Sequence, residues 1–279
     1  MSGRRPTPPN QPGAHFLRDR TLIAQLVRAC GAGHGRLVLD LGAGGGAITA
    51  ALSATGARVI AVERDPRLAA RLRRRFQADP GVRVVEADLR LVPLPRREFL
   101  VVASPPFSLT TALCRRLLGD PAVRLAGAEL VLQRGAARWL ASPRPRDAET
   151  AWWAARYDLR LARTVSAACF TPPPRVDAAR LTVRPRAIVA DTRGQQRLQA
   201  LLRAAYRRPG ARADAVLGGG RRLLVRAAID PALPATELTA DQWHRLAILL
   251  AGRAEGQGRS GGPGPGRSDR NRGLAGPDR

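Results

Sequence analysis

The sequence has no lysine and few acidic residues, and this imbalance sets its charge. All 47 basic residues are arginine, against 22 aspartates and glutamates, so the 279-residue chain has a formal net charge of +25. Such an excess of cations favours a polyanionic partner, because contacts to phosphates supply affinity that does not depend on base sequence. A GC-rich genome would explain arginine in place of lysine, but it would not explain the shortage of acids.

The chain is also poor in cysteine and has no long hydrophobic run. Cys30, Cys114 and Cys169 are far apart and form no C-x-x-C pair, so we expect neither a disulfide framework nor a metal site, and three small buried side chains. No run approaches the length of a membrane span, and residues 1–12 are polar and rich in proline. We therefore expect no secretory signal and a cytoplasmic protein.

Short apolar runs alternate with helical patterns between residues 36 and 186. Five runs predict strands: Leu37–Asp40, Arg58–Val62, Val82–Val85, Phe99–Ala103 and Ala128–Leu132. Helices are predicted between them at 47–55, 66–77 and 110–118. Because the strands are apolar almost throughout, they suit parallel strands that are covered on both faces, and the alternation predicts a doubly wound α/β sheet.

The rest of the chain divides into three further parts. Residues 1–35 form a leading segment, and residues 187–251 predict a small helical domain with helices at 193–206, at 221–228 and from Thr239 onwards. Residues 252–279 contain many glycines and only one large aliphatic residue, so we predict a disordered tail. Of the net charge of +25, the tail carries +3 and residues 1–251 carry +22, so the charge belongs to the part that we expect to fold.

The segment that joins the first strand to the first helix is rich in glycine. Gly42 and Gly44 let the backbone turn tightly and approach a ligand at the start of a helix. The pattern alone fits a nicotinamide dinucleotide or S-adenosylmethionine, and Glu63, which follows the second strand, suits the ribose of either. Asp40 is placed to face a cationic amino group, and Asp88 to accept from an adenine amine. These two acids favour S-adenosylmethionine.

The segment Ser104-Pro105-Pro106-Phe107 follows the fourth predicted strand. Two prolines remove two N–H donors and stiffen the backbone, so that carbonyl oxygens remain as acceptors, and Phe107 adds a flat apolar face. Rigid acceptors beside an aromatic ring suit a purine whose exocyclic amine is held while its ring is stacked. A base of a structured RNA must be unstacked to reach such a pocket.

Several motifs, in order between residues 10 and 184, resemble those of the rRNA adenine N6-dimethyltransferases, which comprise the Erm resistance enzymes and their housekeeping relative KsgA. The similar segments are Asn10–Asp19 (Q-N/H-F-L-x-D in the family), Asp40–Gly46, Val62–Asp65, Glu86–Leu89, Ser104–Phe107 (N-x-P-F/Y) and Phe170–Asp177 (F-x-P-x-P-x-V-D/N-S). Leu130–Ala137 looks more like Erm proteins of actinobacterial type than like KsgA. The resemblance implies a Rossmann-like methyltransferase fold.

The resemblance also implies the roles of individual residues. The cofactor-binding residues would be His15, Leu17, Asp40, Gly42, Gly44, Glu63, Asp88 and Ser104. The catalytic residues would be Ser104, Pro105, Phe107 and Phe170, with the two phenylalanines holding a flipped adenine. Position 104 is serine where the family usually has asparagine. A hydroxyl can still accept one hydrogen bond from the amine.

The substrate implied by the resemblance is one adenine in the peptidyl-transferase loop of 23S rRNA. Its N6 would be methylated once or twice by a monomeric enzyme, which blocks macrolide, lincosamide and streptogramin B antibiotics. We predict RNA contacts from arginines on the surface: Arg115, Arg116, Arg207, Arg208, Arg221 and Arg222.

Three alternatives stay open at the level of sequence. A KsgA-like enzyme would methylate adjacent adenines in 16S rRNA during ribosome maturation. A non-catalytic RNA-binding or assembly factor would have kept the fold after Ser104 weakened catalysis, although such a protein has no need of Asp40, Glu63 and Asp88. A nicotinamide oxidoreductase fits the glycine-rich segment, but no hydride-transfer constellation accompanies it.

Overall fold

The structure is a computed structural model that describes residues 15–187, 192–217 and 220–251. Residues 10–14 of the amino-terminal motif and the tail at 252–279 lie outside the described residues. Within these ranges the chain forms a central sheet flanked by helices, followed by a helical part. The predicted α/β class is therefore confirmed.

The central sheet contains seven of the nine strands in the described residues. The strands are β1 (Phe16–Leu17), β2 (Leu37–Leu41), β3 (Arg58–Glu63), β4 (Val82–Glu86), β5 (Phe99–Ala103), β6 (Leu125–Gln133), β7 (Tyr157–Val165), β8 (Phe170–Thr171) and β9 (Ala178–Pro185). Their order across the sheet is β4-β3-β2-β5-β6-β9-β7, and β9 runs antiparallel to both of its neighbours while the other six strands share one direction. The five predicted strands correspond to β2 to β6.

The helices of the described residues cover both faces of the sheet and continue beyond it. They are α1 (Arg20–Cys30), α2 (Ala47–Ser53), α3 (Pro66–Arg75), α4 (Thr110–Cys114), α5 (Arg134–Leu140), α6 (Ala148–Arg156), α7 (Thr192–Arg207), α8 (Ala213–Val216), α9 (Gly220–Arg226) and α10 (Ala240–Ala251). A single π-helical turn, Arg115–Gly119, extends α4. None of these helices is both long enough and apolar enough to cross a membrane.

Side chains at the helix starts explain where α3 and α10 begin. Asp65 accepts hydrogen bonds from the first backbone N–H groups of α3, at 2.8 Å from Arg67, and Pro66 occupies the first turn. Before α10, Thr239 and Gln242 exchange hydrogen bonds of 2.8 and 3.2 Å between side chain and backbone. This reciprocal pair is the capping box that the sequence predicts.

The order of the strands locates the ligand-binding edge. The chain builds β2, β3 and β4 outwards in one direction and then crosses back to place β5 on the other side of β2. In open α/β sheets, ligands bind at the carboxyl ends of the strands where the order reverses, which is here between β2 and β5. Both strands are buried along their whole length, which accounts for their apolar runs.

A second, two-stranded sheet brings the amino-terminal motif to the same edge. β1 pairs antiparallel with β8, so that Phe16 lies opposite Thr171 and Leu17 opposite Phe170. The Thr171–Pro172 peptide bond that follows is cis. Two motifs more than 150 residues apart in the chain therefore share one small sheet.

The helical part packs against the rest of the chain through α6. The α10 helix contacts both α6 and α7, and Trp243 and Leu246 of α10 are fully buried in a core that also contains Trp153 and Leu198. Because this core is continuous, the boundary at 186–187 that separates two predicted domains stays a prediction.

Several elements and one cysteine differ from the expectations. The strands β1, β7, β8 and β9 and the helices α1, α5, α6 and α8 were not predicted. The middle of β7 is exposed and contains Arg160 and Arg163 in place of an apolar run. Cys30 and Cys114 are buried as expected, but Cys169 is only half-buried, and its Sγ lies 3.5 Å from Oδ2 of Asp19. The prediction that all three cysteines are buried was wrong for Cys169, because it lies in the surface turn before β8.

Candidate active site

The glycine-rich segment forms a tight loop at the carboxyl end of β2. Gly42, Gly44 and Gly46 have φ angles of +87°, +53° and +77°, in the left-handed region that residues with a side chain rarely adopt. The N–H groups of Gly42 and Ala43 both donate to the carbonyl of Val62, at 2.9 and 3.0 Å. The loop is thus tied to β3 while it opens towards the sheet edge.

The side chains of Phe16 and Arg75 contact the backbone of this loop. A Cβ atom placed on Gly44 would lie 2.7 Å from Cδ1 of Phe16, so the Phe16 ring lies directly against the backbone. Nη1 of Arg75 donates to the carbonyls of Gly45 and Gly46, at 2.9 and 3.2 Å. The position of the loop is therefore defined from the β1 side and from α3.

Asp40 is a buried acid below the loop with one oxygen unpaired. Its side chain is fully buried, and Oδ2 accepts a hydrogen bond of 2.6 Å from Oγ1 of Thr49. Oδ1 has no hydrogen-bond partner among the described residues. Burial raises the pKa of Asp40 to about 7, against the opposing effect of the Thr49 hydrogen bond. A buried acceptor without a donor fits the cationic amino group of S-adenosylmethionine.

Glu63, the last residue of β3, forms hydrogen bonds that fix the glycine-rich loop. Its Oε2 accepts from the N–H of Gly44 and its Oε1 from the N–H of Asp65, both at 2.8 Å. Each carboxylate oxygen has a second lone pair. Glu63 can therefore keep these two bonds and still accept from a ribose hydroxyl.

Asp88 lies near the end of β4 as predicted, but arginines surround it. Arg90 binds both carboxylate oxygens, with Nη2 at 2.6 Å from Oδ2, and Nη1 of Arg64 lies 3.8 Å from Oδ2. Its hydrogen bond to Arg90 lowers the pKa of Asp88 to about 2. The backbone N–H of Arg90 also donates to Oδ1, at 2.8 Å, so an adenine amine would have to displace one of the Arg90 donors.

The Ser104–Phe107 loop lies against the glycine-rich loop. A Cβ atom placed on Gly42 would be 3.6 Å from Cα of Pro105, so the backbones of the two loops are in contact. The hydroxyl of Ser104 is buried and has no hydrogen-bond partner among the described residues. Oγ1 of Thr110 donates to the carbonyl of Phe107 at 2.9 Å, which fixes the end of the loop.

Aromatic rings form one wall of this site. The ring of Phe107 is half-buried, and it meets Phe170 edge to face with centroids 6.2 Å apart. His15 lies on another side of Phe107 at 6.0 Å, and its Nδ1 is 2.9 Å from the carbonyl oxygen of Pro172. Leu17 is buried in the core behind the site, so its side chain supports the wall from inside.

The structure thus brings most of the predicted site residues to one edge of the sheet. Those found there are His15, Leu17, Asp40, Gly42, Gly44, Glu63, Asp88, Ser104, Pro105, Phe107 and Phe170. Within the described ranges, no three side chains of the types that bind metals are grouped closely enough to hold an ion.

The arginines predicted to contact RNA do not share one environment. Arg115 is exposed but forms an ion pair with Glu149, with Nε 2.8 Å from Oε1. Arg116 is half-buried and donates to the carbonyls of Arg90 and Val92, so it supports the turn that carries Asp88. The remaining four, Arg207, Arg208, Arg221 and Arg222, are exposed on the helical part.

A basic groove, lined by three arginines and by Asp177, was missed in the sequence. It has a volume of about 530 Å³, lies at the carboxyl end of β6 next to β5, and is lined by Arg134, Arg138 and Arg175. Arg134 and Arg138 are four residues apart on α5 and therefore lie on one face. This spacing was a signal that could have identified the groove.

Comparisons with known proteins agree with this geometry. A family model described as "Ribosomal RNA adenine dimethylase" matches residues 10–252. The mycinamicin-resistance protein MyrB of Micromonospora griseorubida is 36% identical over 283 residues, covering 96% of this chain and 90% of that protein. An rRNA adenine N-6-methyltransferase of Bacillus licheniformis is 31% identical over 175 residues, which cover 63% of this chain and 61% of that protein's length.

The fold has a solved relative over almost the same extent. The crystal structure of the 23S rRNA methyltransferase ErmE superposes with a TM-score of 0.72 and 27% sequence identity, covering 84% of this chain and 99% of that one. The dinucleotide alternative for the glycine-rich loop is therefore wrong, because the family match extends over both motifs and the helical part. The chain belongs to the ribosomal RNA adenine dimethylase family, whose methyl donor is S-adenosylmethionine.

Proposed function

We propose that the protein methylates N6 of one adenine in the peptidyl-transferase loop of 23S rRNA, and so confers resistance to macrolide, lincosamide and streptogramin B antibiotics. The observation that carries the proposal is the contact between the glycine-rich loop and the Ser104–Phe107 loop, in which the Ser104 hydroxyl is buried without a partner among the described residues and the Phe107 ring is half-buried. The similarity to MyrB and ErmE supports the ribosomal target. We also propose that the protein acts as a cytoplasmic monomer.

The residues at the sheet edge divide between cofactor and base. In this proposal Asp40 holds the amino group of S-adenosylmethionine, Glu63 its ribose and Asp88 its adenine amine, while His15 and Leu17 border the site. The cofactor supplies a methyl group already activated by its sulfonium. The chain therefore needs no covalent nucleophile and no strong base, and its contribution is positioning and electrostatic preorganisation.

The flipped adenine would lie against Phe107. Its exocyclic amine would donate to the Ser104 hydroxyl and to the Pro105 carbonyl, which holds the nitrogen in one orientation. Phe170 is 3% exposed, so in the present arrangement it supports the edge of Phe107. Because this loop lies against Gly42, an amine bound there would be next to the cofactor loop.

The cofactor affinity should depend on pH through Asp40. Its pKa is raised to about 7, so a cationic ligand meets a charged carboxylate above pH 7 and a neutral carboxyl below it. We expect the Kd for S-adenosylhomocysteine to rise about tenfold between pH 8 and pH 6. Isothermal titration calorimetry at pH 6, 7 and 8 measures this, and Asp40→Asn should give weak binding without the pH dependence. Equal wild-type affinity at all three values would contradict the assignment.

The ligand-free protein should show the opposite dependence of stability on pH. A carboxyl whose pKa is about 7 in the folded state and 3.8 in the unfolded state contributes stability that is present below pH 3.8 and is lost as the pH rises through 7. Asp40→Asn should therefore reduce the fall in stability of the ligand-free protein between pH 4 and pH 7.

Gly44 should be far less tolerant of a side chain than its neighbour Gly45. Gly44→Ala forces a residue with a Cβ to adopt φ +53° and displaces Phe16, whereas a Cβ on Gly45 meets nothing within 4 Å. Because the left-handed conformation costs an alanine about 1–2 kcal/mol, the loop should shift, and we expect the Kd for S-adenosylhomocysteine to rise roughly fivefold or more. Gly45→Ala is the matched control and should stay within about twofold. Similar affinities of the two variants would contradict this picture.

RNA contacts would combine the basic groove with the helical part. We expect Arg138→Gln and Arg208→Gln each to lower the slope of log affinity against log salt by about one. Arg73→Gln is the control, since Arg73 is paired with Glu86 at 3.1 Å on α3. Fluorescence anisotropy with a labelled rRNA fragment over a salt series measures the slope. If the slope were unchanged in both test variants, Arg138 and Arg208 would not contact RNA phosphates.

A methyl-transfer assay distinguishes the proposed target from the alternatives. The protein is incubated with labelled S-adenosylmethionine and protein-free 23S or 16S rRNA, and primer extension maps the modified adenine. Label at one adenine of the 23S peptidyl-transferase loop is the expected result. Label in 16S rRNA alone would replace this target by the KsgA-like one, and cofactor binding without label in either RNA would leave the non-catalytic factor.

A further inference from the structure

A second basic cavity lies on the side of the sheet opposite to the active site. Its volume is about 190 Å³, and it is lined by Pro121, Trp152, Arg156, Tyr157, Pro185 and Arg186, among others. Tyr157 begins β7 and pairs with Pro185, which ends the antiparallel β9, so both lie at the amino edge of the sheet. The Ser104–Phe107 loop follows the carboxyl end of β5, at the other edge.

Arg156 brings a positive charge into this cavity and has no ion-pair partner within 4 Å among the described residues. Its guanidinium lies over the rings of Trp152 and Tyr157, 4.8 and 5.2 Å from their centroids, and Nη1 donates to the carbonyl of Leu118 at 2.7 Å. Desolvation by burial lowers the pKa of Arg156 and outweighs the opposing effects of Tyr157 and of the Asp120 carboxylate.

Arg186 adds a second guanidinium with a spare donor. Its side chain is 18% exposed, and Nη1 contacts Oδ1 of Asp241 at 2.9 Å. The Asp241 side chain is 70% exposed, so solvent weakens this pair. Nε of Arg186 is buried and has no hydrogen-bond partner among the described residues. A buried N–H of a cation without an acceptor is unfavourable, and an anion would relieve it.

The lining of the cavity limits the ligand to a small anion. Among the lining residues that the structure describes there are two arginines and no aspartate or glutamate. Its volume of about 190 Å³ is below the roughly 300–1,000 Å³ of sites for larger organic ligands. A tetrahedral anion with several acceptor oxygens suits guanidinium donors.

We propose that this cavity binds one phosphate group between Arg156 and Arg186. The group comes either from the backbone of the RNA or from free inorganic phosphate, since the same donors recognise both. The site does not depend on methyl transfer or on the identity of the methylated base. It lies where the sheet meets α7 and α10, so its occupant would join the sheet to the helical part.

Thermal unfolding of the full chain in a phosphate series at constant ionic strength tests the site. We expect the wild-type Tm to rise by about 3 °C when phosphate is about tenfold above its dissociation constant. Arg186→Met keeps an apolar side chain of similar length and should lose this rise. Arg212→Met is the matched control, because Arg212 is 59% exposed and paired with Asp214 in the helical part, and it should keep the rise.

A second variant keeps the test informative if Arg186→Met does not fold. Asp241→Asn removes the exposed carboxylate that competes for Arg186, so it should increase the phosphate-dependent rise in Tm. A wild-type Tm that does not respond to phosphate, together with an unchanged Asp241→Asn response, would overturn the proposal. An equal rise in Arg186→Met and wild type would also overturn it.

The salt dependence of RNA affinity identifies the source of the phosphate. If the RNA backbone occupies the site, Arg186→Met should lower the slope of log affinity against log salt by about one. If free phosphate occupies it, the slope should stay unchanged while the Tm still responds to phosphate. An unchanged slope without any response of the Tm would contradict both sources.

Discussion

Replacing Phe107 with alanine should lower kcat/KM for methylation of rRNA by about 5- to 150-fold, which corresponds to the roughly 1–3 kcal/mol that one base gains from stacking on an aromatic side chain. The ring is half-buried between His15 and Phe170, three residues after Ser104, whose hydroxyl is buried without a partner among the described residues. Without it, a flipped adenine would have no flat surface to replace the stacking that it loses. Initial rates at saturating S-adenosylmethionine measure the effect.

Two controls distinguish stacking of the base on Phe107 from a purely structural role of this residue: the variant Phe107→Tyr and the affinity for the cofactor product. Phe107→Tyr keeps the ring and should recover most of the loss. The affinity for S-adenosylhomocysteine should change by less than about twofold in both variants, since Phe107 faces the base side of the site. A rate for Phe107→Ala within twofold of wild type would show that the base is not stacked there.

Replacing Glu129 with alanine should lower the free energy of unfolding by about 3–5 kcal/mol. This carboxylate is fully buried in β6 and accepts from Arg180, Thr182 and Arg184 at 2.7, 2.8 and 2.7 Å. Its removal leaves the guanidinium of Arg180, which is 15% exposed, without a counter-charge. Chemical denaturation monitored by circular dichroism measures the change.

An exposed ion pair provides the control for Glu129. Glu98 lies 3.9 Å from Arg124, and both side chains are largely exposed. Glu98→Ala should therefore cost less than about 1 kcal/mol. A loss below about 1 kcal/mol for Glu129→Ala as well would mean that the buried cluster does not hold β6 and β9 together.

Three of the predicted strands, β2, β5 and β6, are buried almost throughout and therefore read as continuous apolar runs. β3 is partly buried, and β4, an edge strand with no fully buried residue, was recognised from its three valines. β7 is an edge strand with five consecutive exposed residues, two of them arginines. Because it has no apolar run, the sequence did not indicate a strand there. Glu129 was a further signal that was not used, since a lone acid inside an apolar strand requires buried partners.

The site residues that could be predicted are those that lie at or just after the ends of the strands. Asp40, Gly42 and Ser104 come immediately at or after the ends of adjacent strands, so their convergence at one edge follows from the topology. The hydrogen-bond partners of Arg90 and Arg116 depend on the geometry of the turn around Asp88. This geometry could not be predicted from the spacing of residues along the chain. For the same reason, charge alone could not distinguish supporting arginines from exposed ones.

Nucleoside mass spectrometry of 23S rRNA treated with the protein and S-adenosylmethionine tests most directly whether the pocket at Ser104–Phe107 methylates adenine N6. We expect N6-methyladenosine or N6,N6-dimethyladenosine from the wild type, formed about 5- to 150-fold more slowly by Phe107→Ala. Methylation at any other atom would contradict the assignment of this pocket. The absence of a methylated nucleoside from protein that binds the cofactor would contradict it equally.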